Sequence, residues 1–402
     1  MILVLATLVF AQVQASPTLT LKQIQDLAVS KSAQIKSATA FSKSESTRAE
    51  GSGLLPNPFA RFEYGYANFG GVAGPTYDST IGQSIPFPGK LSAKKRIQEL
   101  KAQIAQVSET ETKLLVQHAV TLTAIRLANL NEISKHELER RRRFQLMHDY
   151  LRSHPQVSPS QKIEAALIEN QIRILEKGMI ELSFEKDAAE SELKFFTQLP
   201  EAPTLEYRWI SQVQLPKREE LESLLAEHNP ELRKKEFELE HSHETVSLAK
   251  LDPWPDFGLT ASYRLETPVP ANNFYFGGIT IALPFWDHGQ YSIPAAQASV
   301  DTEVESRENI RARLKSDFEQ AWKRVQASQK ELDLFPLKLV DSSEKKFAEA
   351  ETEFRKGRIS VSVLLATDAQ IHETLDSVYN SQFKLAQDLS RLYLLVGKEI
   401  TL

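Results

Sequence analysis

The chain has 402 residues, of which 41% are hydrophobic and 25% charged, so it can build a core and is not a disordered chain. Its 48 basic and 53 acidic residues give a formal net charge of -5, which argues against a nucleic-acid-binding protein. The absence of cysteine excludes a disulfide framework, a cysteine nucleophile, a thiolate metal site and lipidation of an N-terminal cysteine.

The N-terminal residues have the pattern of an export signal. Residues 1–15 are apolar and uncharged and end in Val13-Gln14-Ala15, a small-x-Ala pattern of the kind that signal peptidases cut. We therefore predict a signal peptide over 1–15 with cleavage after Ala15. A positively charged start is missing, so the true start codon is expected upstream, and a buried N-terminal strand or helix is the alternative.

The remaining chain reads as an internal duplication. The segment Leu55-Pro56-Asn57-Pro58-Phe59 aligns with Asp252-Pro253-Trp254-Pro255-Asp256, and Ile85-Pro86-Phe87 aligns with Leu283-Pro284-Phe285. In each half a helical segment is followed by a Pro-x-Pro break, two strand-like runs and a long helical hairpin. We predict one repeat over 16–216 and a second over 217–402.

Each repeat contains two runs in which apolar and polar residues alternate. The alternation predicts strands over about 59–69, 77–87, 257–266 and 274–285. Runs of about ten residues that are rich in aromatics are long enough to cross a bilayer at a tilt of about 45°. A soluble hairpin packed on the helices is the alternative. If the strands lie in lipid, four of them cannot close a barrel, so three copies with four strands each would supply twelve.

Long helical hairpins are predicted over about 90–199 and 290–397. Apolar residues recur at spacings of three and four in both, as in heptad seams that require a partner helix. A helix of about 60 residues is roughly 90 Å long, which suits a tube that reaches across the periplasm. Proline is expected to end the first hairpin's outgoing helix in His154–Pro159, and Gly357 places the second turn at Arg355–Ser360.

These features resemble the TolC family of outer-membrane efflux proteins. The resemblance covers nearly the whole mature chain and includes the duplication, Leu55-Pro56-Asn57-Pro58, and the segment Phe354–Leu364 with Ala366 and Gln370. It also includes the strand-to-helix junction motif, which consists of Pro86, Phe87, Pro88, Gly89 and Lys90. The junction is similar to that of members that serve heavy-metal export pumps, but it is too short to define the cargo.

The resemblance implies a mainly α protein with a small β part. It implies a homotrimer in the bacterial outer membrane, with a twelve-stranded β-barrel continued by an α-helical tube into the periplasm. It also implies a periplasmic adaptor (membrane fusion protein) and an inner-membrane pump as partners. The expected function is passive transport through an exit duct of a tripartite efflux or type I secretion system. A soluble periplasmic coiled-coil adaptor or scaffold is the alternative, which cell fractionation separates from the duct.

The family has its constriction at the periplasmic tip, and four residues of this chain are candidates for it. Arg358 matches a position at the constriction, and we hypothesise that it makes charge contacts with Asp149 or His154 of the other hairpin and holds the tip closed. Arg355 lies in the same turn. The alternative for Arg358 is a solvated arginine, because exposed ion pairs are worth only about 0–1 kcal/mol each. The first tip departs from the family pattern because prolines replace the usual glycine-containing turn.

Other polar clusters suggest no chemistry. The basic run 140–143 is interpreted as a solvated helix face, with adaptor contact as the alternative. His241 and His243 are two residues apart and do not share a helix face, so no metal site is predicted. No phosphate-binding loop, nucleophile elbow or His-Glu-x-x-His helix is present in the sequence. We therefore predict no catalytic residue and no cofactor, and we do not expect an enzyme.

Overall fold

The computed structural model describes residues 18–69, 71–153, 158–206, 217–267, 271–336 and 338–400. The predicted signal peptide lies outside these residues. The strands are β1 (Thr18–Leu19), β2 (Phe59–Phe69), β3 (Val72–Ile85), β4 (Thr204–Leu205), β5 (Phe257–Glu266) and β6 (Asn272–Ile281). The helices are α1 (Leu21–Lys31), α2 (Ala33–Gly51), α3 (Lys90–Arg152), α4 (Pro159–Thr197), α5 (Arg218–His228), α6 (Pro230–Leu251), α7 (Ser292–Leu334), α8 (Lys338–Arg355) and α9 (Val361–Leu395).

The chain divides into two compact units, each of which draws on both halves of the sequence. The helical unit consists of the described parts of Met1–Lys36, Thr112–Asn229 and Lys315–Leu402. The sheet unit consists of the described parts of Ser37–Glu111 and Pro230–Leu314. The compact units therefore do not coincide with the two sequence repeats, whose boundaries stay a prediction.

Four strands of the sheet unit form one antiparallel sheet in the order β2-β3-β5-β6. This confirms the predicted number of long strands. Both ends of β3 and of β6 differ from the expected ones, most at the start of β3 and at the end of β6. β3 begins at Val72 rather than about residue 77, because its pairing with β2 continues as far as Phe69 and Val72. β6 ends at Ile281 rather than about residue 285, shortly before Pro284, which has no N–H to donate to a ladder.

The helical unit also contains a two-residue parallel pairing that sequence patterns did not predict. Thr18 and Leu19 of β1 pair with Thr204 and Leu205 of β4. Two residues per strand are too few for an alternation pattern, so no sequence signal marks them.

Side-chain caps mark the starts of α4 and α9, the return helices of the two hairpins. Ser158 caps α4 by accepting from the Gln161 N–H, and the Gln161 side chain accepts from the Ser158 N–H in return. Ser360 caps α9, and Gly357 in the turn before it has φ +71°, which favours glycine. The second hairpin differs from its prediction, because its outgoing limb is divided into α7 and α8 beside Pro336.

The heptad seams form the core of the helical unit. The core cluster that includes the two hairpin ends contains Phe144, Met147, Leu151, Ile168, Ile172, Leu175, Phe347, Phe354, Val361, Leu364, Ile371, Leu375 and Tyr379. These residues come from α3, α4, α8 and α9, so the four helices pack on one another here. None of the described helices is at once long enough and apolar enough to cross a membrane.

Candidate functional site

The two faces of the four-stranded sheet differ sharply in chemistry. Directly paired residues share a face, so the register places aromatic and aliphatic side chains of all four strands together on one side. This apolar face is exposed, with Phe62 at 79%, Tyr275 at 80% and Ile279 at 71% of full exposure. It includes Ala60, Phe62, Tyr64, Tyr66, Tyr77, Ile81, Phe257, Leu259, Tyr263, Tyr275, Ile279 and Ile281, with Ser79, Gln83, Asn273 and Gly277 among them. An exposed apolar surface of this extent marks a contact with lipid or protein.

The opposite face of the sheet carries paired polar and charged groups. Arg264 donates to Asp78 on the neighbouring strand at 3.0 Å, and its guanidinium lies 5.7 Å from the centre of the Phe276 ring. The hydroxyls of Thr80 and Ser262 are 2.8 Å apart. This face also carries Phe59, Phe274 and Phe276, so it is mixed, but the charged and hydroxyl groups of the sheet pair with one another here.

The predicted junction motif is a hydrogen-bonded clasp. The Lys90 side chain is 7% exposed, and its Nζ donates to Asp252 O at 3.0 Å, to Trp254 O at 2.7 Å and to Asp256 Oδ1 at 3.0 Å. The Phe87 N–H donates to the same carboxylate oxygen at 2.8 Å. Lys90 therefore satisfies carbonyls at the end of α6 and fixes the start of α3 against the start of β5.

Aromatic stacking and one glycine complete the clasp. The rings of Phe87 and Trp254 stack with centroids 5.0 Å apart. Gly89 has φ +96°, and a Cβ there would lie 3.1 Å from Leu251 Cδ1, so no other residue fits without strain. Partial burial raises the pKa of Asp256, but the hydrogen bond from Phe87 and the Lys90 ammonium outweigh it and hold that pKa below its usual range. The sequence singled out the motif but not its partner segment, Asp252–Asp256.

The tip candidates lie at the two hairpin ends, but their side chains pair locally in this chain. Arg358 Nη1 lies 3.0 Å from Glu353 Oε2, and Arg355 Nη2 lies 2.6 Å from Glu351 Oε1. Asp149 accepts from Gln145 and lies 3.2 Å from His148 Nδ1. The fourth candidate, His154, lies outside the described residues. The hypothesis that Arg358 contacts Asp149 or His154 stays a prediction.

One contact joins the two hairpin ends directly. The Tyr150 hydroxyl, on the last turn of α3, donates to Arg355 O at 3.3 Å. Phe354, Val361 and Leu151 are buried together beneath the second turn. The turn that carries Arg355 and Arg358 is therefore fixed on an apolar base that includes α3, while its charged side chains stay exposed.

The interpretation of the basic run as a solvated face is wrong for Arg140. Arg140 is 6% exposed, and its guanidinium donates to both carboxylate oxygens of Asp368 on α9. The reason is spacing, because Arg140 precedes Phe144, Met147 and Leu151 at helical intervals and shares their buried face. Burial lowers the pKa of Arg140, but Asp368 and Glu137 outweigh burial and raise it. Arg141 and Arg142 are exposed, as the interpretation expected.

The sequence drew attention to His241 and His243, but the fold places two other histidines close to a carboxylate. His241 is partly buried, which lowers its pKa, and His243 is exposed. Within the described residues, His136, Glu137 and His372 each place a ligand atom within 4.8 Å of the others. Sequence spacing could not find this group, because it combines two helices that are far apart in the chain.

Comparison with known proteins identifies the fold. A crystal structure of CusC has a TM-score of 0.79 and 13% identity, covering 97% of this chain and 96% of that chain. The Campylobacter jejuni CmeC outer membrane channel has a TM-score of 0.77 and 15% identity, covering 96% and 89%. The open state of the Neisseria gonorrhoeae MtrE outer membrane channel has a TM-score of 0.77 and 14% identity, covering 94% and 89%. At such identities the similarity defines the fold.

The family follows from the sequence itself. Residues 221–398 match the family model described as outer membrane efflux protein. No curated protein matches the sequence. Over this segment the chain belongs to the outer membrane efflux proteins, and its whole length shares the fold of their solved channels. It is accordingly a non-enzymatic transport protein, the outer-membrane channel component of an efflux system.

Proposed function

We propose that three copies of this chain form one passive exit duct. Each copy contributes its four-stranded sheet to a twelve-stranded barrel in the outer membrane, and its helical hairpins extend the duct into the periplasm. The observation that carries this proposal is the sheet itself, which has an exposed apolar face, a polar face and two open edges.

The open edges supply the physical argument for assembly. Among the described strands, β2 and β6 each have a neighbour on one side only. In lipid each unpaired backbone group costs several kcal/mol, so both edges require a partner. Pairing β6 of one copy with β2 of the next satisfies both, and a closed ring leaves no edge. The polar face, with Asp78 and Arg264, then faces an aqueous lumen, and the apolar face meets lipid.

The proposed partners follow from the direction of transport. A passive channel holds no energy source, so an inner-membrane pump supplies the driving force and a periplasmic adaptor joins the two. Substrates then diffuse through the polar lumen without a chemical step. The cargo class, whether metal ions, drugs or protein segments, is left open.

We also propose that the hairpin ends narrow the duct, with Asp149, His154, Arg355 and Arg358 at the constriction. Arg358 is two-thirds exposed and Arg355 about half exposed, and both are held on the buried base of the second turn. In a threefold ring the same charges would face one another across the axis. A single exposed ion pair is weak, but three copies of the same charges in a narrow pore have a larger combined electrostatic effect.

The oligomeric state and membrane location test this function together. The full-length protein should fractionate with outer membranes, require detergent for extraction and elute with three chains per particle by light scattering. Planar bilayers should conduct ions after these particles are added. Adding detergent micelles without protein is the control and should give no conductance. A chain released with periplasmic contents as a water-soluble monomer would contradict the proposal and support the soluble adaptor.

A further inference from the structure

Three potential metal ligands meet where α3 packs against α9 in the helical unit. His136 and Glu137 are neighbours on α3, and His372 lies on α9. One nitrogen or oxygen atom from each side chain lies within 4.8 Å of those of the other two. The two imidazole rings are nearly parallel, at 6°, with centroids 6.5 Å apart.

The two ring nitrogens of His372 face different carboxylates. Nδ1 lies 3.1 Å from Glu137 Oε1, yet this buried nitrogen finds no aligned hydrogen-bond partner among the described residues. Nε2 lies 3.4 Å from Asp376 Oδ2, one turn further along α9. The ring therefore faces Asp376 with Nε2 and the Glu137 carboxylate with Nδ1.

This arrangement matches the chemistry of transition-metal sites. Imidazole nitrogen and carboxylate oxygen are common ligands of Zn²⁺ and related divalent ions, and two histidines with one carboxylate are a recurring set. A histidine that binds metal through one nitrogen usually donates its other N–H to a carboxylate. Asp376 is in that position for His372, and Arg140 Nη1 supports the Glu137 carboxylate at 3.4 Å.

The surrounding charges also favour a dication. With both imidazoles neutral, Glu137, Asp368 and Asp376 carry three negative charges, and Arg140 carries one positive charge. Carboxylates therefore outnumber cations around the group, which favours a divalent ion. The other cation that acts on His136 is Arg143, and it is paired with Glu139 at 3.3 Å.

The protonation states agree with this reading. Burial lowers the pKa of His136, so its imidazole is neutral at neutral pH. Burial alone raises the pKa of Glu137, but His372 and Arg140 outweigh it and keep the carboxylate ionised. A proton and a metal ion compete for the same imidazole nitrogen, so affinity should fall as the pH is lowered.

We propose that His136, Glu137 and His372 bind one divalent transition-metal ion per chain, which links α3 to α9. Three protein ligands leave at least one coordination position for water. The ion would act as a clip on the helical wall, and the site does not depend on the proposed trimer or on the cargo.

The test uses untagged full-length protein in detergent and ZnCl₂ as the probe. Isothermal titration should give one Zn²⁺ per chain, with affinity reduced at least tenfold by His136→Ala and by His372→Ala. Asp376→Asn should weaken binding about 10–100-fold, as expected for a residue that orients a ligand. His241→Ala is the matched control, because His241 is a partly buried histidine of the sheet unit, and it should bind as the unaltered protein does.

Two further measurements keep the proposal testable if an alanine variant does not fold. Glutamine is closer to histidine in volume than alanine is, so His372→Gln disturbs the packing less. Zn²⁺ should raise the melting temperature of the unaltered protein but not of this variant. Co²⁺ added to the unaltered protein should give visible absorption bands that Zn²⁺ removes and Mg²⁺ does not, since Mg²⁺ prefers oxygen ligands. Equal Zn²⁺ affinity in the histidine variants, or no stoichiometric binding, would overturn the proposal.

Discussion

Arg140 on α3 and Asp368 on α9 form a buried ion pair in which Nε of Arg140 lies 2.9 Å and 2.8 Å from the two carboxylate oxygens. Both side chains are almost fully enclosed. Arg140 shares its buried helix face with Phe144 and Met147, and Asp368 shares its face with Leu364 and Ile371, so the pair fixes which positions of the two helices face each other. The pair defines register, as a polar residue does within a coiled-coil seam.

Removing one partner of this pair should be costly. Arg140→Ala leaves Asp368 buried without its counter-charge, and we expect a loss of about 3–5 kcal/mol in the free energy of unfolding. Replacing both residues, as Arg140→Met with Asp368→Leu, should recover most of that loss. Denaturant unfolding in detergent measures both, with the exposed Arg142→Ala as the control. A loss below about 1 kcal/mol for Arg140→Ala would contradict the account.

Two glycines provide a matched pair for testing the strand-to-helix junction. Gly89→Ala forces a Cβ into a backbone with φ +96° and against Leu251, and we expect a cost of about 1–3 kcal/mol. Gly178→Ala, in the interior of α4, meets no atom within 4 Å and should stabilise by about 0.5–1 kcal/mol. Melting temperatures of the two variants should therefore move in opposite directions. Equal shifts would show that the junction does not require glycine.

The pH dependence of stability should depend on His118. Burial lowers its pKa, and its ring hydrogen-bonds to Ser390 Oγ at 2.7 Å and to Lys398 O at 3.0 Å. Because the folded state holds this histidine neutral, its stabilising contribution is complete above the unfolded pKa of about 6.5. This contribution declines as the pH falls from the unfolded pKa towards the lower folded pKa, because the unfolded chain binds a proton over that range and the folded chain does not.

The comparison variant for this effect is His118→Gln, which removes the titration. At pH 7.5 it should melt below the unaltered protein because it loses buried hydrogen bonds. The difference between the two melting temperatures should shrink as the pH is lowered from 7 to 5. A difference that grows over that range would mean that His118 is not held neutral in the folded state.

Channel conductance tests the proposed role of Arg358. If three copies of Arg358 help to hold the tip closed, Arg358→Ala should raise the conductance of single channels in planar bilayers. Lys356→Ala is the control, since Lys356 also pairs with Glu353 but is not a proposed constriction residue. No increase for Arg358→Ala would remove its gating role, and an equal increase for Lys356→Ala would assign the effect to general charge.

The features that sequence predicted well are those with a local period. Alternation along ten residues located the four long strands, and apolar spacings of three and four located the seams that the core clusters now contain. Glycine at position 357 indicated the second turn, because its positive φ favours glycine. Each of these signals lies within one element, so no knowledge of packing was needed.

The features that sequence missed depend on packing between distant segments. The clasp between Lys90 and Asp252–Asp256 joins the two halves of the chain, and the group of His136, Glu137 and His372 joins two helices. Arg140 was misread because a run of four arginines suggested one solvated surface, although helical geometry separates its members. Its spacing from Phe144 and Met147 was the signal that could have placed it on the buried face.

The central claim is that β6 of one copy pairs with β2 of the next. The chain has no native cysteine, so Tyr64→Cys on β2 can be combined in turn with Tyr275→Cys, Gly277→Cys and Ile279→Cys on β6, all on the apolar face. After oxidation, at least one pair should give a covalent trimer on a non-reducing denaturing gel. Glu63→Cys, on the opposite face, should not link to the same partners. Monomer alone in every Tyr64→Cys combination would contradict the account.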